Sequence, residues 1–483
     1  MKIESYFYKM KNVLLVFVSL LFINGFGQNS KYLNEQVESK ELKTGILAFH
    51  AQKVSNGEVV ATINAEKWMS PASILKLATT TSAIEILGPD HRFETKIGYT
   101  GHIEAGVLKG DLIVKGGGDP SLGFDITHGK TKFPDKFFKD LISVIKDLGI
   151  NSIDGNIIAD NSHFSQQAVP SSWAWGDIGN YYGAASYGLN FFGNRYSVYF
   201  RSGKVEGSSA EIGEIYPRIV FDIDNQVKTA NIQNDQAYIY AGPGSKKVYM
   251  EGRIPMGKSA FEVKGAIPDP SMFFIETLEL QLNAAGIDHN GDLLVEFQRT
   301  NFNVELFSHY SASLKEICIY TNRFSDNFFA ETLLKQIGAA RGEGSTNNGI
   351  RVIQRYLSER GINPGNFNIT DGSGLSRNNL ITAKGMVELL MKNLNGPNTK
   401  FTELGLSVSG RTGSLKRLGA MTCLEGKVQA KSGYMRNVRS YAGVFQNAQS
   451  ENIVFCIIMN DFNCTAERAR EIISEVMSKT MCQ

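Results

Sequence analysis

An α+β domain assembled from the two ends of the chain, and split by a large, mainly β inserted region, is the architecture this sequence predicts. Three observations carry the prediction. Hairpin-like pairs of apolar runs flanking a helix pattern occur at both ends. The middle has a different texture, rich in turns and short strands. At 483 residues the chain is too long for one ordinary domain. The boundaries read as 29–96 and 296–483 for the split domain and 97–295 for the insertion, which is long enough for two subdomains.

The split domain opens with strand runs at Gly45–His50 and Val59–Ile63, joined by a turn around Ser55-Asn56-Gly57. A helix follows from about Pro71 to Leu87, stopped by Gly88-Pro89. In the middle, Gly116-Gly117-Gly118-Asp119-Pro120, Gly242-Pro243-Gly244 and Pro268-Asp269-Pro270-Ser271 are turn signals. Between them lie short β runs at Asp111–Lys115, Asn156–Ala159 and Tyr196–Arg201. The pattern becomes helical again from Leu314 to Arg341, and a second helix covers about Asn348–Arg360. Strands near Lys427–Ala430, Ser440–Phe445 and Ile453–Met459 precede a final helix from about Ala466 to Met481.

Apolar residues make up 42% and charged residues 20%, which marks a globular chain rather than a disordered one. The formal net charge is +2, and Lys2, Lys9 and Lys11 against Glu4 account for all of it. A neutral remainder with no basic stripe gives no reason to expect nucleic acid or an anionic membrane surface as a partner. Lys9 and Lys11 precede an apolar run from Val13 to Phe26, and small or polar residues follow at Gly27–Ser30. A basic start, a short apolar stretch and a small-residue exit describe a secretory signal peptide over residues 1–28. The run is short for a membrane span, which needs about 20 apolar residues. The expectation is cleavage near residues 25–29 and export to the periplasm or cell envelope. Five cysteines (Cys318, Cys423, Cys456, Cys464 and Cys482) are too few and too irregular for a disulfide framework, and Cys456 reads as a buried thiol. The seven histidines show no metal-ligand spacing, so no metal or other cofactor is expected.

Three short strings carry chemistry. In Met69-Ser70-Pro71-Ala72-Ser73-Ile74-Leu75-Lys76, Ser70 reads as an N-cap and Pro71 as the first helical residue, so Ser73 falls in the first turn. Lys76, three residues on, shares its face. A serine needs a neighbouring base to become a nucleophile, and a desolvated lysine can be that base. Ser325-Asp326-Asn327 lies between two helix patterns. It reads either as a plain helix cap or as a turn exposing a hydroxyl and an amide that could pass a proton and hold a substrate amide. Lys431-Ser432-Gly433 sits at a strand, offering a cation, a hydroxyl and a residue without a Cβ at a sheet edge. Arg411-Thr412-Gly413 is a similar string, but it precedes no clear strand run, and Lys431–Gly433 is preferred.

Each string is common alone. Their order, Ser-x-x-Lys, then Ser-x-Asn, then Lys-Ser/Thr-Gly, is the signature of serine β-lactamases and penicillin-binding proteins. The chain further resembles the penicillin-binding protein 4 type of D-Ala-D-Ala carboxypeptidase/endopeptidase, peptidase family S13, over essentially its whole mature length. The resemblance rests on Pro71–Lys76, on Gly110-Asp111-Leu112 with Gly117–Pro120, and on Trp173, Trp175 and Asp177 followed by Tyr181–Ala184. It rests most specifically on Asp371-Gly372-Ser373-Gly374-Leu375-Ser376-Arg377 with Asn379 and Thr382. Spacing agrees: 252 residues (325 − 73) separate the first two motifs, room for the insertion such a family carries between them.

The resemblance implies a transpeptidase-like catalytic domain with Ser73, Lys76, Ser325, Asn327 and Lys431 as catalytic residues. It implies substrate contacts from Ser432, Gly433 and Tyr434, the last with its backbone N–H in the oxyanion hole beside that of Ser73. Peptidoglycan stem peptides are the implied partner, and β-lactams the implied covalent inhibitors. Asp177 is read two ways, as a group reaching toward the amine of the stem's diamino acid or as a turn residue after packed tryptophans. The third motif departs from the commoner Lys-Thr-Gly-Thr in placing Tyr434 where a small polar residue usually stands. Arg411–Leu415 also departs, and no role follows for it. The rivals are a β-lactamase and an inactive peptidoglycan-binding protein. No glutamate loop of the class A kind is visible, and Ser-x-Asn argues against class C.

Overall fold

The computed structural model describes residues 31–220, 222–394 and 404–482. The signal-peptide expectation for residues 1–28 lies outside them. At the centre is a six-stranded antiparallel sheet made from both ends of the chain. Its strands are β1 (Ile46–Lys53), β2 (Val59–Ile63), β3 (Ser407–Val408), β4 (Val428–Met435), β5 (Val438–Gln446) and β6 (Asn452–Asn460), in the order β2-β1-β6-β5-β4-β3. The central strand β6 is almost continuously apolar because both of its faces are covered. Val454, Cys456 and Ile458 enter one core, while Ile453, Phe455, Ile457 and Met459 enter the other.

The first core lies under helices α1 (Lys76–Leu87), α2 (Leu314–Phe324), α3 (Asn327–Ala339), α4 (Thr346–Glu359) and α5 (Ala383–Asn393). The second lies under α6 (Ala466–Met481) and the loop carrying Leu415, Leu418 and Leu424. A disulfide between Cys423 and Cys482 ties that loop to the end of α6; Cys318 and Cys456 are buried free thiols. Side chains alternate across a strand, so Lys431 and Gly433 face the α1 side, with Ser432 and Tyr434 on the other.

The inserted region begins and ends on paired strands. Glu94–Tyr99 pairs antiparallel with Val304–Tyr310, and both belong to a five-stranded sheet with Leu112–Lys115, Ile157–Asp160 and Leu293–Glu296. The strand Val304–Tyr310, placed by the sequence reading after the boundary at 296, thus belongs to the insertion. Smaller three-stranded sheets follow, one built on Arg195–Arg201 and one on Lys247–Pro255. One apolar cluster runs from Ile97 and Leu112 through Phe191 and Phe274 to Val227 and Met250, linking the sheets of the insertion.

The start of the first helix also differs from the sequence reading. Ser70 caps nothing; its backbone is held by Asn460, whose Oδ1 accepts from the Ser70 N–H at 2.8 Å. Ala72 to Leu75 form a 3₁₀ turn that runs directly into α1, and Ala72 takes a left-handed backbone (φ 47°). Apolar packing of Ala72, Ile74 and Leu75 holds the turn in place.

Candidate active site

The 3₁₀ turn has a direct chemical consequence. Side chains three apart eclipse one another in such a turn, which brings Lys76 Nζ to 3.1 Å from Ser73 Oγ. Ser73 is partly exposed while Lys76 is fully buried. Lys76 Nζ also donates to Asn327 Oδ1 at 2.6 Å and to the Ser373 carbonyl at 2.7 Å. Burial lowers the Lys76 pKa to about 8, although the nearby Asp371, Asp326 and Glu331 pull the other way. A neutral lysine has two N–H donors and one lone pair. The two short bonds take the donors, and the lone pair is left for the Ser73 hydroxyl.

The second motif is a break between two helices. Ser325 takes a left-handed backbone (φ 58°) at the end of α2, and Asp326 caps α3 by accepting from the Phe329 N–H at 3.2 Å. The cap reading of this string is therefore correct for Asp326, and its neighbours are free for other work. Asn327 Nδ2 donates to the Tyr182 carbonyl at 2.9 Å. Asp326 is ion-paired to Arg195 of the insertion and accepts from Tyr320 Oη at 2.9 Å.

The third motif lies on β4. Lys431, 2% exposed, donates to Ser325 Oγ at 2.8 Å and to the Ser432 carbonyl at 2.8 Å. Burial, and secondarily the charge of Lys76, hold its pKa well below the ordinary lysine range. Gly433 is required sterically: a Cβ there would lie 2.2 Å from Ser440 Oγ, 2.6 Å from the Pro71 carbonyl and 3.1 Å from Ala72 Cβ. The strand thus abuts the turn bearing Ser73. Tyr434 is exposed, and the Arg439 guanidinium lies 4.7 Å from its ring centre. So Ser73, Lys76, Ser325, Asn327 and Lys431 converge, with Ser432, Gly433 and Tyr434 along the adjoining strand.

The Asp371–Arg377 string forms the floor. Asp371 accepts from the N–H groups of Ser373, Gly374 and Ser376, from Asn379 Nδ2 and from Trp173 Nε1. Gly374 (φ 82°) lets this loop press on the nucleophile's turn, since a Cβ there would lie 2.0 Å from the Ala72 carbonyl. Asp177 joins the site at one remove. It is half-buried, its pKa is raised by burial against a hydrogen bond from Tyr182 and the charge of Arg377, and the Tyr182 carbonyl is the one held by Asn327.

Several contributors were missed by the sequence reading. Glu331 is buried under the floor, its Oε1 accepting from Gly372 N–H at 2.6 Å and Ser373 N–H at 3.0 Å; burial raises its pKa well above the usual carboxylate range. Lys335, one turn further on and buried, donates to the Gln167 and Ser186 carbonyls, so two ionisable side chains lie on the buried face of a mostly apolar helix. That anomaly was a readable signal. Ser414, in the unassigned 411–415 loop, accepts from Ser432 Oγ at 2.7 Å. The look-alike Arg411–Gly413 lies in the turn after β3 and leads into a single 3₁₀ turn.

This fold with this site defines the class of serine β-lactamases and penicillin-binding proteins. The sequence profile of the D-Ala-D-Ala carboxypeptidase 3 (S13) family matches residues 29–480, and the chain belongs to that family. The chain is 25% identical over 424 residues to D-alanyl-D-alanine carboxypeptidase DacB of Haemophilus influenzae, covering 86% of each. To the D-alanyl-D-alanine carboxypeptidase of an Actinomadura species it is 26% identical over 444 residues, covering 88% of this chain and 79% of the relative. Its fold matches the crystal structure of penicillin binding protein 4 from H. influenzae with a TM-score of 0.79 at 24% identity, over 92% of this chain and 97% of that one. A second structure of that protein, complexed with a β-lactam, matches with a TM-score of 0.74 at 23% identity.

Proposed function

We propose that this chain is an exported serine D-Ala-D-Ala carboxypeptidase that cleaves peptidoglycan stem peptides through an acyl-enzyme on Ser73, with cross-link cleavage when the leaving amine belongs to a neighbouring stem. One observation carries the reading: a fully buried Lys76, with both its neutral-form donors engaged, 3.1 Å from the hydroxyl of Ser73. Lys76 takes the Ser73 proton as Oγ attacks the penultimate D-Ala carbonyl. The oxyanion is held by the backbone N–H groups of Ser73 and Tyr434, donors worth about 3 kcal/mol each in such sites.

Protonated Lys76 then places a positive charge beside Lys431, whose proton affinity it already lowers. That field favours proton release along Lys431 and Ser325 to the departing amine, with Ser325 Oγ giving the last proton. The amine leaves neutral, and Lys76 then passes on the Ser73 proton to replace the one that Lys431 lost, so the net transfer is from Ser73 to the amine and Lys76 is neutral again. Asn327 has its amide N–H on Tyr182 and its carbonyl on Lys76, so it orients the base and the strip beside the substrate amide. Asp177, on that strip, faces the amine of the stem's diamino acid. Water cleaves the ester with Lys76 again as base. Work in the periplasm or cell envelope follows from the signal-like N-terminus and the substrate. Release of D-Ala from a pentapeptide stem, followed by chromatography, tests the reading. Ser73→Ala must abolish it, and undiminished release in that variant would sink it.

A further inference from the structure

The sheet built on Lys247–Pro255, with Asp222–Ala230 and Gln236–Tyr240 as its outer strands, has no part in the proposed reaction. Side chains alternate across a strand. Val227, Ala237, Ile239, Val248 and Met250 enter the core of the insertion, which leaves Tyr238, Tyr240 and Tyr249 on the opposite face. Tyr240 and Tyr249 are direct cross-strand partners, with ring centres 5.9 Å apart and planes tilted by 36°. Trp175, 59% exposed, continues the row at 6.4 Å from Tyr240 and a tilt of 32°. Glu251 accepts from Tyr249 Oη at 2.8 Å and also hydrogen-bonds Tyr240, which fixes both rings.

This aromatic row leads to the reaction centre. Trp175 stands two residues before Asp177. The segment that follows packs directly on the sheet: Asn180 Oδ1 accepts from the Ile239 N–H at 3.1 Å, and a Cβ on Gly179 would lie 2.2 Å from the Ile239 carbonyl. Two residues further on, the Tyr182 carbonyl is held by Asn327, the side chain that also orients Lys76. One strip of backbone therefore joins the aromatic face to the site. Charges on that face cancel, Asp224 and Glu251 standing against Lys228 and Arg253. A face without net charge gives a polyanion nothing to bind. It suits a sugar chain, whose C–H faces pack on aromatic rings while its hydroxyl and amide groups find polar neighbours.

We infer that Trp175, Tyr240 and Tyr249 form a glycan-binding platform, which holds the sugar strand of peptidoglycan while a stem peptide borne on that strand enters the site at Ser73. Rings that follow one another in steps the size of a sugar residue favour a chain of sugars over a single one. The enzyme accordingly prefers stems still attached to glycan over free peptides.

The platform rests on the proposed function, and two readouts keep them apart. The native protein, Tyr240→Ala, Tyr249→Ala and Tyr240→Phe are titrated calorimetrically with peptide-free strands of alternating N-acetylglucosamine and N-acetylmuramic acid. The same proteins are assayed for D-Ala release from a free pentapeptide and from the pentapeptide carried on such strands. The expected result is glycan binding by the native protein that weakens at least about tenfold in each alanine variant, with Tyr240→Phe within about threefold of native. KM for glycan-borne stems rises with it, while release from the free pentapeptide stays within about twofold of native and shows that the variants are folded. A native protein that cleaves the pentapeptide but binds no glycan overturns the platform and leaves the enzyme standing. Equal losses on free and glycan-borne stems also overturn it, as does a native dimer that dissociates in Tyr249→Ala, which would give the face to a second copy of the chain. A native protein that cleaves neither stem overturns the proposed function, and the glycan titration then decides the platform alone.

Discussion

Gly433→Ala is the sharpest single-atom perturbation of this site. The new Cβ would lie 2.2 Å from Ser440 Oγ and 2.6 Å from the Pro71 carbonyl, both more than half an ångström inside ordinary contact. Ser440 Oγ itself donates to that same carbonyl at 2.5 Å, so it cannot rotate away without breaking the bond that fixes Pro71. Losing that bond costs about 1 kcal/mol, and overpacking a tight interior typically adds about 1–3 kcal/mol. If the strand stays, the turn bearing Ala72 and Ser73 must move instead, and a misplacement of about 1 Å can cost roughly 100-fold in rate. The assay is the second-order rate of acylation by a fluorescent penicillin, with thermal melting alongside. The expected result is a fall of roughly 100-fold with a lowered melting temperature. Gly433→Ala with Ser440→Ala, which removes the nearest obstacle, should recover part of both. Acylation within threefold of native in the single variant would show that close approach of β4 does not position Ser73.

Acylation should rise about tenfold per pH unit below about 8 and level off above it, because Lys76 accepts a proton only when neutral and its pKa lies at about 8; a flat profile from pH 6 to 9 would contradict this. Glu331→Gln should melt within about 1 kcal/mol of native, since the amide oxygen can still accept from the Gly372 N–H and burial already disfavours the charged carboxylate. Glu331→Ala should lose about 1–3 kcal/mol for the stranded N–H of Gly372, while the Ser373 N–H keeps Asp371, and equal melting of the two variants would show that Glu331 does not hold the floor. Arg195→Met leaves the nearly buried Asp326 without its cation and should destabilise by roughly 3–5 kcal/mol. Adding Asp326→Asn should restore much of the melting temperature, and the absence of any recovery would argue against the ion pair as the cause.

Much of the fold was readable because its strands carry their own burial pattern. The apolar run of β6 read as a strand, and the break at Ser325 showed as a polar triplet between two helix patterns. The site motifs were readable because each is a short local string, such as Ser73 with Lys76 three residues on, and the three occur in a characteristic order along the chain. What could not be read depends on contacts distant in sequence. Ser70 looks like an N-cap by propensity, yet Asn460, 390 residues away, holds its backbone and leaves the helix to begin in a 3₁₀ turn. The pairing of Val304–Tyr310 with Glu94–Tyr99 could not be read either, because the strand is only partly buried and shows no clean alternation. The role of Ser414 depends on a loop folding back over β4, which no local pattern encodes.

The central claim is that Ser73 is an acylated nucleophile activated by Lys76. Intact-mass measurement of the mature protein after mixing with benzylpenicillin, beside Ser73→Ala and Lys76→Ala, tests it most directly. The account predicts a stable one-to-one adduct on the native protein, none on Ser73→Ala, and formation slowed by orders of magnitude in Lys76→Ala. An adduct that persists in Ser73→Ala, or no adduct and no drug turnover in the native protein, would contradict it.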